Sequence, residues 1–162
     1  MPHINQAIFS VSIRRIKLLM LNLNEKAASK ASAYATTFTQ STHFNLDLNI
    51  LLLNLNISFI ASEEEKDTQF LNAVIQNVFE IPNLKEYINI DNKVILPKDI
   101  LITLVTLSIS HARAIIATHT AGTPLQEMIV PIINPIAATT SLFPESFEAE
   151  FPNALSDPEQ SL

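Results

Sequence analysis

Apolar and polar residues alternate from Phe44 to Ala61. Phe44, Leu46, Leu48, Ile50 and Leu52 keep one phase, and Leu53, Leu55, Ile57, Phe59 and Ala61 keep the other. A period of two marks a strand with one buried face. The phase changes inside "ILLL" with no glycine or proline nearby, which predicts one long strand bent by a bulge. On that reading Asn45, Asp47, Asn49, Asn54, Asn56 and Ser58 share a polar sheet face that the protein's own core does not cover. Asn45, Asp47, Asn54 and Asn56 are its candidate partner-binding residues.

The same reasoning predicts strands on either side. Ala7, Phe9, Val11 and Ile13 alternate in one phase and Ile16, Leu18 and Met20 in the other, so a bulge is expected at Arg14-Arg15. Residues 24–33, "NEKAASKASA", suit a connecting loop, and Tyr34 to Thr42 a short strand. "SEEEKD" at 62–67 reads as a charged turn. From Gln69 to Ile81 both phases carry apolar residues, which predicts a central strand covered on both sides. Periodicity then lapses in "PNLKEYINIDN".

Pro97 opens a helix at its permitted first turn, Asp99 suits the positive end of the dipole, and Gly122 is a natural stop after Thr120. Ile100, Leu101, Leu104, Val105, Ala112, Ile115 and Ile116 make one apolar stripe, while Ile102, Thr106 and Ile109 make a second. A helix that avoids water on two sides needs a second protein surface, so self-association is expected. Ile102, Ile109, His111 and Arg113 are the candidate interface residues. Arg113, in apolar surroundings, calls for a carboxylate or backbone carbonyls at a subunit seam. Pro131 and Pro135 bracket an extended piece before a short last helix from about Pro135 to Phe143. Residues 1–144 are therefore expected to form one domain and 145–162 an acidic flexible tail.

Composition narrows the function. A net charge of −6 opposes a phosphate backbone, and no basic stripe extends beyond Arg14, Arg15 and Lys17, so nucleic-acid binding is not expected. The absence of cysteine removes disulfide and thiolate chemistry. No targeting segment stands out, and the cytoplasm is the expected location. The most membrane-like run, residues 100–118, contains His111 and Arg113 and reads better as a buried helix.

Chemistry is sparse. One glycine cannot build a phosphate-cradling loop. His111 and His119 sit eight residues apart, a spacing that turns them to different sides of a helix, so no metal site is expected. No histidine-activated serine motif surrounds Ser108 or Ser110. Neither catalysis nor a cofactor is expected.

Residues 94–135, "VILPKDILITLVTLSISHARAIIATHTAGTPLQEMIVPIINP", resemble the C-terminal half of the SecB-family export chaperones. The shared features are the proline-initiated approach, Ala112-Arg113, Gly122-Thr123 closing the helix, and Pro131 with Asn134; the order of upstream elements is similar too. The resemblance spans about residues 8–143. It implies an α+β fold, a four-stranded antiparallel sheet backed by one long and one short helix, assembled as a dimer of dimers. It also implies a chaperone without ATP or metal that holds unfolded precursor proteins in apolar grooves, with a SecA-type translocation motor as a further partner. The crossover offers Phe79, Leu84, Tyr87 and Ile88 as a groove wall, with Met128 and Phe143 beside them; the same residues suit core cover under a loop equally well. "FPESFEAEF", from Phe143 to Phe151, is itself a segment such a groove could hold. The alternative readings are a module dedicated to one partner, such as an antitoxin, or to a small apolar ligand, and an enzyme of unrecognised type.

Overall fold

The alternating segments fold into four antiparallel strands, β1 (Ser12–Leu23), β2 (Ala35–Asn45), β3 (Ile50–Glu63) and β4 (Lys66–Glu80), in the order β1-β4-β3-β2. The computed structural model describes residues 10–31, 33–63 and 66–148. Ala7 and Phe9 of the expected first strand, Glu64 and Glu65 of the charged turn, and residues 149–162 of the expected tail lie outside them. The fold is α+β, as expected, with β4 paired on both sides.

The phase change near Leu52 is a hairpin and not a bulge. β2 ends at Asn45, residues 46–49 turn, and β3 begins at Ile50. Asparagine does the work that glycine does in other tight turns: Asn49 takes a left-handed backbone at φ 56°. Its side-chain Oδ1 accepts the Leu84 N–H at 3.1 Å, and the Asn45 Oδ1 accepts the Leu48 N–H at 3.1 Å. The expected bulge in β1 is present between Ile13 and Arg15, and a second register shift follows between Leu18 and Met20. Within the expected loop at 24–33 a short helix, α1 (Glu25–Ala28), is capped by the Asn24 side chain, which accepts the Ala27 N–H.

One sheet face is the core. Leu51, Leu53, Leu55, Ile57 and Phe59 of β3 and Ala73, Ile75 and Phe79 of β4 have no accessible surface. They pack under α2 (Lys98–Thr120), which Pro97 precedes and Gly122, at φ 76°, follows. α2 is the one helix among the described residues long and apolar enough to cross a membrane; here it lays Leu101, Leu104, Val105, Ala112 and Ile116 on the sheet. α3 (Pro135–Leu142), capped by Asn134 Oδ1, reaches β2, where Gln40 Nε2 donates to the Ala138 carbonyl at 2.5 Å. α4 (Pro144–Glu148) continues from it with Ser146 buried, so the boundary drawn between 144 and 145 falls inside a helix.

Candidate polypeptide-binding surface

The residues expected to form a groove wall are not brought together at the surface. Phe79 and Leu84 have no accessible surface and belong to the core, and Phe143 is buried with its ring centroid 6.2 Å from that of Phe44. Tyr87, Ile88 and Met128 are half-buried. Leu84 starts a single 3-10 turn, Leu84–Tyr87, that folds the crossover down onto the core, so its apolar side chains serve as cover.

The interface candidates also separate. Ile109 lies four residues after Val105 and eight after Leu101, which places it on the sheet-facing stripe, and it is buried there. Ile102 is half-buried. Half-buried His111 places Nδ1 2.7 Å from Asn77 Oδ1 on β4, and burial pushes its pKa below the ordinary histidine value. Arg113 meets no carboxylate among the described residues; its Nη2 donates to the Pro131 carbonyl at 2.6 Å, fastening α2 to the extended segment after it. The exposed side of α2 is instead Thr103, Thr106, Leu107, Ser110, Ala114, Ala117 and Thr118, a face with no charge beyond Asp99 in the first turn.

On the outer sheet face, Asn54 and Asn56 are where the alternation puts them, half-buried. Gln76 Nε2 donates to Asn54 Oδ1 at 3.1 Å, and Asn54 Nδ2 to Ser41 Oγ at 3.4 Å, tying three strands together. Asn56 Oδ1 is buried with no partner among the described residues. Asn45, opposite Ile50, shares this face, but its Oδ1 is taken up in bracing the hairpin turn, whereas Asp47 lies within the turn and pairs with Lys85 at 2.9 Å.

An open apolar trough lies elsewhere. α2 packs mainly on β3 and β4, so the inner side of the edge strand β1 is only partly covered. Val11 and Ile13 form one wall and Ile100, Thr103, Leu104 and Leu107 of α2 the other, around a cavity of about 280 Å³ that lies over the fully buried Phe79. Ile13 is 45% exposed and Ile16, further along the same strand, 39%, values that leave much of two large aliphatic side chains in water. The sequence holds the signal for these residues, since Val11 and Ile13 alternate as a buried strand would. What it lacks is the strand order, which makes β1 an edge.

No family model matches the chain, and no curated protein matches it. Among solved structures, it is similar to a SecB-like chaperone of Mycobacterium tuberculosis in complex with a ChAD peptide from the HigA1 antitoxin, with a TM-score of 0.48 and 12% identity, covering 76% of this chain and 91% of that one. It is also similar to a protein of unknown function from Streptococcus agalactiae, with a TM-score of 0.33 and 11% identity, covering 79% of this chain and 100% of that one.

Proposed function

We propose that the chain is a holdase chaperone that needs no ATP, metal or other cofactor, binds unfolded or precursor polypeptides along the trough between β1 and α2, and catalyses no reaction. The trough is the observation that carries this reading: an apolar floor and walls, open to solvent, beside an edge strand whose outer side has no paired strand among the described residues. An extended client could place alternate side chains in such a trough, gaining about 25 cal/mol for each Å² of apolar surface it removes from water. Selection would then fall on disorder and apolar content more than on sequence. The exposed side of α2, uncharged beyond Asp99 in its first turn, supports assembly of copies of the chain, and Leu107 belongs to both that side and the trough wall, so the trough would lie at a seam. Cytoplasmic action on precursors bound for export, with hand-over to a SecA-type motor, completes the reading that the likeness of residues 94–135 to the export chaperones suggests.

The test is aggregation of a chemically unfolded, unrelated protein followed by light scattering, with the mass of the chaperone measured in parallel. Wild-type chain in modest excess is expected to suppress scattering, and Ile13→Asp and Leu107→Asp to lose much of that effect while remaining folded. A folded wild-type chain that leaves scattering unchanged overturns the holdase reading. Stoichiometric binding of one peptide partner by such a chain would instead identify a dedicated module.

A further inference from the structure

A second surface lies on the opposite side of the sheet from the trough, at the end where Asn45 pairs with Ile50, Ile50 with Glu80, and Glu80 with Ser12. There Leu48, Ile50 and Val78 floor an open pocket of about 450 Å³, rimmed by Arg14, Arg15 and Glu80. Val78 is buried yet stands apart from the core cluster, because it faces outward across the sheet. Arg14 is paired with Glu80. Arg15 has no ion-pair partner among the described residues, and Lys17, opposite Gln76, adds a second cation on the same outer face. The pocket is thus apolar below and positive at its edge, in a chain whose net charge is −6. Neither a basic nor a wholly polar ligand suits it; a segment combining carboxylates with large apolar side chains does.

We infer that residues 149–162 of this same chain occupy the pocket. The segment "AEFPNALSDPEQSL" has that chemistry, with Glu150, Asp157 and Glu159 interspersed with Phe151 and Leu155 and no lysine or arginine. It also starts at the right end of the sheet. Phe143, just before α4, sets its ring at a tilt to that of Phe44 beside the 46–49 turn, and Glu145 of α4 pairs with Lys93 of the crossover at 3.0 Å. From there the pocket lies around the edge of the sheet. Four strands span about 15 Å at about 4.8 Å per spacing, whereas residues 149–162, when extended, reach about 45 Å at about 3.3 Å per residue. On this inference Glu150 or Asp157 is the carboxylate for Arg15, and Phe151 or Leu155 the apolar side chain for Val78 and Ile50. The inference does not depend on what the trough binds.

The chain has no cysteine, so one can be introduced at Ala154→Cys in the full-length protein and carry a nitroxide label. Paramagnetic broadening of backbone amide signals then maps where the segment lies. The expected result is selective broadening at Ile50 and Val78, abolished in the doubly substituted R15E/K17E protein and weakened in ~1 M salt, where the screening length falls to about 3 Å. Arg15 and Lys17 are exposed, and the amide spectrum itself reports whether that variant is folded. Broadening centred on Ile100 and Leu107 would put the segment in the trough and overturn the inference, as would no selective broadening. So would broadening that survives R15E/K17E, or that is equally strong when label and isotope sit on separate molecules in a mixture.

Discussion

His111 on α2 and Asn77 on β4 face each other across the helix-sheet interface, with Nδ1 and Oδ1 2.7 Å apart. Asn77 has no accessible surface, so the imidazole is the partner that keeps its carbonyl satisfied. With the amide oxygen toward the ring, Nδ1 carries the proton and the neutral ring suffices.

That pairing sets a pH dependence. Burial holds the His111 pKa in the folded protein below the value near 6.5 of the unfolded chain. As pH falls through about 6.5 the unfolded chain takes up a proton first, so the contribution is complete above that value and is lost on acidification toward the folded pKa. Urea unfolding between pH 7.5 and 5 is expected to show a decline in stability that is smaller in His111→Gln, which keeps a donor for Asn77 and does not titrate. An identical decline in that variant would remove His111 as its source.

Asn49 joins two elements through one residue: its left-handed backbone closes the β2-β3 turn and its side chain holds the start of the crossover at Leu84. Asn49→Ala loses the hydrogen bond and puts a less tolerant residue at positive φ, with an expected cost of roughly 1–3 kcal/mol. Asn49→Gly relieves the backbone and loses only the bond, so equilibrium unfolding should rank it between wild type and alanine.

Phe79 and Leu107 both line the trough but differ in what they contribute to stability. Phe79 is fully buried under α2, so Phe79→Ala is expected to cost about 3–5 kcal/mol. Exposed Leu107 on the trough wall should do the reverse: Leu107→Ser leaves the urea midpoint nearly unchanged and weakens suppression of aggregation. Equal effects of the two substitutions on the midpoint would contradict this division.

Arg113 anchors the segment that carries Ile129 and Ile132, both exposed, through the Pro131 carbonyl. Arg113→Ala is expected to cost about 1–2 kcal/mol, as loss of a charged hydrogen bond at a partly wetted site. Limited proteolysis within residues 129–134 should accelerate while the amides of Leu53 and Ile75 stay protected from exchange. Arg113→Lys, with a single point charge on a flexible stem, should restore only part of the resistance to cleavage.

Much of the fold was legible because its signals are local. Alternation located the strands, Pro97 and Gly122 bounded α2, and the phase flip at Arg14-Arg15 located a bulge. The hairpin at 46–49 was hidden by its chemistry, since an asparagine fills the left-handed position where glycine would have announced a turn. The site was less legible for a different reason. Leu84 reads equally as groove wall or core cover because the segment after β4 has no periodicity; the hydrogen bond from its N–H to Asn49, distant in sequence, is what pulls it inward. Ile13 and Val11 look like any buried strand, and only the order β1-β4-β3-β2 leaves them at an edge that α2 covers in part.

That strand order also sets a timetable for synthesis. β1 leaves the ribosome first, yet the strand that receives it, β4, is made after β2 and β3, with Leu23 bound for Leu71 and Ser12 for Glu80. The oily front end of the chain must therefore stay uncommitted while the middle hairpins form. For that interval the nascent protein shares the predicament of the unfolded chains it is proposed to hold.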